Sequence, residues 1–195
     1  MPHDLDRRKL LKALPLTAAG LTLTAGAASA QSQSQPQPTG TSRTLVAYYS
    51  RTGNTAVIAR QIRRARDGVL FDIKTLNPYP EDYEETVAQA SRETKSGYLP
   101  PLGQFVASIR QYETIYLGFP IWGMTAPPVI RSFLRAHDLS GKTIMPFITH
   151  GGYGLGNSMD IVTSLAEGAD VRPAFSMEAD QEKRTLQQVT GWLTS

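Results

Sequence analysis

Cysteine is absent from this chain. That excludes disulfides, thiol nucleophiles and thiolate metal sites, and it suits an oxidising compartment without proving one. Histidine is scarce, and His3, His137 and His150 are too scattered to form a recognisable metal cluster. No G-x-S-x-G elbow surrounds a serine, and nothing designates a charge partner for His150, so a hydrolase is disfavoured. Long apolar runs are also missing. The stretch from Ala13 to Ala28 is broken by Gly20, Gly26 and several threonines, and is shorter than the roughly 20 residues a spanning helix needs. Charge is nearly balanced: 20 basic against 17 acidic residues give +3. No internal repeat is evident.

What the front of the chain does have is an address. Arg7, Arg8, Lys9 and Lys12 precede the short apolar stretch, and Ala28–Ser29–Ala30 reads as a small-x-small cleavage site. Asp6–Arg7–Arg8–Lys9–Leu10–Leu11–Lys12 resembles a bacterial twin-arginine export signal, with Asp6 where Ser or Thr is usual and Leu10 where Phe is commonest. An ordinary secretory signal and a plain basic tail are the alternatives. The twin-arginine route carries folded proteins, so a cofactor inserted in the cytoplasm would survive transit. Residues 1–30 are thus expected to be a removable signal, giving a periplasmic or otherwise exported protein from a cytoplasmic precursor. Residues 31–42, rich in Gln, Ser, Pro, Thr and Gly, are expected to form a flexible leader. The domain then spans 43–195, a common domain size. Losing residues 1–30 removes four basic and two acidic residues, so sixteen face fifteen and the basic balance becomes slight. The charge therefore gives no reason to expect a nucleic acid partner.

Within the domain, hydrophobic periodicity predicts strands over 44–49, 69–73, 114–119, 143–149 and 171–177. It predicts helices over 54–66, 81–94, 102–112, 128–136, 157–165 and 180–193, the first with Val57, Ile58, Ile62 and Ala65 on its apolar face. Alternating strands and helices imply an α/β fold with an open, mostly parallel sheet. In such sheets ligands sit beyond the carboxyl ends of the strands, at a switch in strand order.

Three unusual loops follow core strands. The first, Ser50–Arg51–Thr52–Gly53–Asn54–Thr55, joins a strand to a helix and offers hydroxyls with a glycine at the turn. Successive N–H groups and the helix terminus can then face an anion. It matches neither GxxxxGK[ST] nor GxGxxG, which favours a phosphate monoester over a nucleoside triphosphate or a dinucleotide. A turn without a ligand would use the same residues, and Arg51 has even claims on anion and solvent.

The second loop, Pro120–Ile121–Trp122–Gly123–Met124–Thr125, sets a tryptophan just beyond a buried strand. Its ring can stack on a heteroaromatic ligand or simply cover the sheet end. The third, His150–Gly151–Gly152–Tyr153–Gly154–Leu155–Gly156, brings bare amides and one aromatic ring together. His150 suits acid–base work near neutrality, and equally suits a neutral side chain pinning the loop. Tyr153 either covers a ring or is an exposed tip. The acidic block Glu81, Asp82, Glu84 and Glu85 is read as complementing a helix dipole. No catalytic residue and no metal ligand is assigned.

Together, Tyr49–Ser50–Arg51–Thr52–Gly53–Asn54–Thr55, Gly118–Phe119–Pro120–Ile121–Trp122 and Gly141–Lys142–Thr143–Ile144–Met145–Pro146–Phe147–Ile148–Thr149–His150–Gly151–Gly152 resemble the flavodoxin-like family. The resemblance spans the whole domain, including Pro78–Tyr79–Pro80 and the acidic helix after it. It implies a doubly wound, five-stranded parallel sheet in the order 2-1-3-4-5, with helices on both faces and noncovalently bound FMN. It puts phosphate binding on Ser50 to Thr55 and the flavin ring beside Pro120 to Thr125 and Thr149 to Gly156. It also implies a backbone carbonyl near Gly123 facing the flavin N5. Gly123 and Met124 follow the tryptophan where many relatives carry a second bulky residue, and Tyr153 stands where a small residue is frequent. The function implied is electron transfer with a redox partner protein or a membrane quinone or quinol, and no stable membrane insertion after processing. Soluble nicotinamide is not expected beyond the cytoplasmic membrane, which favours those partners. An FMN-dependent quinone or nitro-compound reductase is the alternative, and a cofactor-free binding or scaffold domain is a third reading.

Overall fold

The structure, a computed structural model, describes residues 42–178 and 182–195. The expected signal over 1–30 and all of the expected leader except Ser42 lie outside the described residues.

Five strand positions build one parallel sheet. Thr44–Tyr48 (β1) lies between Val69–Asp72 (β2) and Thr114–Pro120 (β3), and Thr143–His150 (β4) pairs with β3 on its far side. Asp170–Val171 (β5) and Phe175–Glu178 (β6) both pair with β4, so the order is β2-β1-β3-β4-β5 with β6 continuing along the same edge. This is the doubly wound 2-1-3-4-5 arrangement that the resemblance implied.

Side-chain alternation splits the core into two layers. Leu45 and Ala47 of β1, with Ile115, Leu117 and Phe119 of β3, face one side. There they meet Val129, Ile130 and Phe133 of Pro128–Ala136 (α3) and Val162 of Ser158–Leu165 (α4). Val46 and Tyr48 face the other side, against Ile58, Ala59 and Ile62 of Asn54–Arg66 (α1) and Val189 and Leu193 of Glu182–Leu193 (α5). Ala65, expected on the apolar face of α1, is exposed. Tyr83–Ser96 (α2) starts at Asp82, whose side chain accepts from Glu85 N–H, and stops at Gly97 with φ 68°. It buries little beyond Thr86, Ala90 and Glu93.

Two expectations need correction. The helix expected over 102–112 does not form; only a single 3-10 turn, Ile109–Gln111, appears. Tertiary partners claim the polar groups that a helix would have to recruit. Gly103 N–H donates to Lys74 O (2.8 Å), Gln104 Nε2 donates to Asp72 O (2.7 Å), and Val106 N–H donates to His137 Nε2 (3.1 Å). The segment lies so close to residue 75 that a Cβ at Gly103 would come within 3.1 Å of Thr75 O.

The fifth strand is also broken, into β5 and β6. Three residues, 172–174, stand opposite two, Met145 and Pro146, between the pairs Ile144↔Val171 and Phe147↔Phe175. Thr143 N–H donates to Glu113 O on the β3 side (2.9 Å), so strand alternation turns position 146 toward the last strand. Proline has no N–H to give there, and the ladder bulges.

Candidate functional site

The first loop holds itself in shape. Ser50 Oγ accepts from Gly53 N–H (3.2 Å) and Ala56 N–H (3.3 Å), which satisfies one of the first-turn amides of α1 from outside the helix. Gly53, the helix cap, has φ 96°, a region L-residues rarely enter. The positive end of α1 therefore lies at the rim of the sheet. Thr55 is buried, and its Oγ1 lies 2.9 Å from Thr149 Oγ1 at the end of β4. Arg51 turns toward α2: Nη2 donates to Glu81 O (2.7 Å), and the guanidinium lies 5.5 Å from the Tyr83 ring centre. Its Nε is buried with no hydrogen-bond partner.

The second loop is a tight turn. Ile121 N–H donates to Thr149 O (2.8 Å); Trp122 and Thr125 then exchange N–H···O bonds at 3.1 and 3.2 Å. Gly123 and Met124 have φ of 57° and 64°, the positive pair that a type I′ turn needs. Glycine adopts this freely. Methionine does so at a steric cost, so Met124 marks local strain, and it is 47% exposed. Arg131 Nη2 donates to Thr125 Oγ1 (2.8 Å) and fixes the exit from the turn.

Trp122 sits edge-on against Tyr49 (5.3 Å) and Tyr79 (5.0 Å). Tyr79 OH donates to Glu93 Oε2 (2.7 Å), and Glu93, 8% exposed, also accepts from Gln89 Nε2 (2.8 Å). Burial raises both phenols above their ordinary pKa, and for Tyr79 the bond to Glu93 raises it further. Both therefore remain neutral hydrogen-bonding groups near neutral pH.

The third loop is anchored at both ends. Gly152 N–H donates to His150 Nδ1 (3.1 Å), so His150 pins the loop in the way one of its two expected roles requires. Asn157 N–H donates to Met124 O (3.1 Å), and Gly156 passes so close that any Cβ there would collide with that carbonyl. Tyr153 is 82% exposed.

All three loops thus meet at one rim, with β4 as the hinge between them. A cavity of about 450 Å³ is lined by Arg51, Thr52, Pro120, Ile121, Trp122, Gly123 and Thr125, and on its other side by α2. Ser50, Gly53, Asn54 and Thr55 do not line it, nor does Met124. His150, Gly151, Gly152, Tyr153, Gly154 and Gly156 join the rim beyond Met124, outside this cavity. Sequence reasoning missed Tyr49 and Tyr79 as the partners of Trp122, and it gave the acidic helix α2 no part in a site. The one signal for α2 was the recurrence of Val87, Ala90 and Thr94 at helical spacing.

A family model described as flavodoxin matches residues 43–194. Among solved structures, the chain resembles a protein assigned as a flavoprotein from Bacteroides uniformis, with 31% identity and a TM-score of 0.68, over 78% of this chain and 97% of that one. A second such protein, from Bacteroides eggerthii, gives 30% identity and 0.66 over 77% and 95%. A flavoprotein in complex with FMN from Lactobacillus acidophilus gives 22% and 0.61 over 74% and 97%, a likeness of fold. No curated protein sequence matches significantly.

Proposed function

The chain belongs to the flavodoxin family, and from that premise we propose that it binds FMN at the rim of its sheet and transfers electrons outside the cytoplasmic membrane. One observation carries the reading: turns that follow three different strands are stitched together there, through Thr55–Thr149, Ile121–Thr149 and Met124–Asn157. The donor set fits such a cofactor. The positive start of α1, hydroxyls and the unpartnered Arg51 Nε suit a phosphate, while Trp122 at the rim suits a flat ring. The L. acidophilus flavoprotein with its FMN supports the choice of cofactor.

When bound, FMN supplies the one- and two-electron chemistry. The chain's own residues do the rest. Ser50, Arg51, Thr52, Gly53, Asn54 and Thr55 would hold the phosphate. Pro120, Ile121, Trp122, Gly123, Met124 and Thr125 would border the ring on one side, and His150, Gly151, Gly152, Tyr153, Gly154 and Gly156 on the other. Neutral Tyr49 and Tyr79 back Trp122 and keep water from its inner edge.

Export through the signal at Arg7–Arg8 is part of the proposal, with a redox protein or membrane quinol as partner. The test is to purify the processed protein from the periplasmic fraction, record its absorption spectrum and weigh the released cofactor. A flavin spectrum and the mass of FMN are expected there, and replacing both arginines with lysine should leave the protein in the cytoplasm. Colourless folded protein would overturn the reading. An FMN-dependent reductase is the second reading, favoured by the cavity beside Trp122. Saturable oxidation of the reduced protein by a small quinone would select it, whereas slow, unsaturable oxidation with fast exchange to a redox protein selects the carrier.

A further inference from the structure

The three turns account for the flavin reading, but the long wall of the cavity belongs to none of them. Tyr83, Val87, Ser91 and Lys95 recur at every fourth position of α2, so they stand in one row along the helix, and all four line the cavity. The row is about 18 Å long at the α-helical rise. Its chemistry is one-sided. Val87 and Ala90 line the groove together with Ile121 and Trp122, Arg51 and Lys95 bring positive charge, and no carboxylate lines it. Among the described residues no acidic group pairs with Lys95 or Arg51. Tyr83 and Val87 are 62% and 45% exposed, although the helix has polar residues to spare. Lys95 in the last turn suits the helix dipole and Tyr83 lies against the Arg51 guanidinium, but the exposed Val87 between them calls for another reason.

We infer that this groove binds a second small molecule, a planar aromatic anion. Its ring lies between Val87 and the Ile121–Trp122 edge, and its carboxylate or phenolate meets the Lys95 ammonium. Such a ligand gains from ring contact and from a charge-assisted hydrogen bond, and finds no repelling charge in the wall. The inference goes beyond the flavin reading, because Val87, Ser91 and Lys95 lie outside the turns assigned to FMN.

The probe is 2-naphthoate, with uncharged 2-naphthamide as its control, titrated calorimetrically into the full processed protein with and without added FMN. Naphthoate should bind one to one, roughly tenfold more tightly than the amide, as a charge-assisted bond predicts. Lys95→Ala should bring naphthoate down to the amide, and Val87→Trp should weaken both, while the FMN content of each variant stays at the wild-type level. Both positions are exposed, and circular dichroism checks that the variants fold. Naphthoate binding that ignores both substitutions overturns the inference. So does one-for-one displacement of naphthoate by FMN, which would make the groove the flavin's own seat. Naphthoate binding to a protein that takes up no FMN would sink the flavin reading and leave this one standing; FMN uptake without naphthoate binding would do the reverse.

Discussion

The hydroxyls of Thr55 and Thr149 meet at 2.9 Å inside the protein, one from the first turn of α1 and one from the end of β4, 94 residues apart in sequence. This bond joins the turn assigned to phosphate with the strand that leads into the third loop. Each hydroxyl is the other's reason for being buried.

Removing one of the pair should therefore cost more than removing both. Thr149→Val strands the Thr55 hydroxyl in the core and should destabilise the protein by about 1–3 kcal/mol, and the double variant Thr55→Val/Thr149→Val should recover much of that loss. Urea unfolding of the four proteins completes the cycle. Additive losses would mean that the two hydroxyls do not depend on each other.

Trp122→Ala should lower FMN affinity by roughly tenfold or more, since it deletes the aromatic ring at the rim and two edge contacts behind it. Trp122→Phe should retain most of the binding. Equilibrium titration of flavin-free protein with FMN reads both, and unchanged affinity in the alanine variant would remove Trp122 from the site.

Gly156→Ala should fold poorly and bind FMN weakly. Its Cβ must push into the Met124 carbonyl, the same group that Asn157 N–H holds, and its φ of 54° already disfavours a side chain. Overpacking of this kind costs about 1–3 kcal/mol. A thermal unfolding midpoint equal to wild type would show that the second and third loops are not packed as described.

Acid should loosen the segment that replaced the expected helix. His137 Nδ1–H donates to Phe133 O (2.8 Å), and Nε2 accepts from Val106 N–H, so the ring is neutral in the fold. Burial lowers its pKa in the folded state, with the Phe133 carbonyl acting in the opposite direction. The unfolded chain thus binds this proton first. The stability from neutral His137 is complete above the ordinary histidine range near pH ~6.5 and is lost as pH falls from there through the lower folded value. Urea unfolding from pH 7.5 to 5 should show a fall that His137→Gln reduces; identical profiles would refute the assignment.

The sheet and its three rim loops were legible because β1, β3 and β4 are largely apolar runs that lead into glycine, proline or hydroxyl residues, a signal local to the chain. The breakdown of 102–112 was not legible, since Leu102, Val106 and Ile109 fit helical spacing while their segment's competitors, Lys74, Asp72 and His137, are distant in sequence. The break in the expected strand 171–177 was not legible either, because the missing N–H of Pro146 matters only once β4 turns that position toward the last strand. Trp122 was conspicuous, yet the edges of Tyr49 and Tyr79 that grip it come from two other segments. The α2 wall was hidden by composition, because the polar residues Ser91, Thr94 and Lys95 give no sign in sequence that they line a cavity with Ile121 and Trp122.

Ser50 has one further consequence. By accepting from two amides at once, its hydroxyl gives the first loop a settled shape in the protein alone. An incoming anion then loses little affinity to ordering the backbone. Uptake should proceed at a rate set by encounter, with the receptor already rigid, and tight binding need not come at the expense of speed.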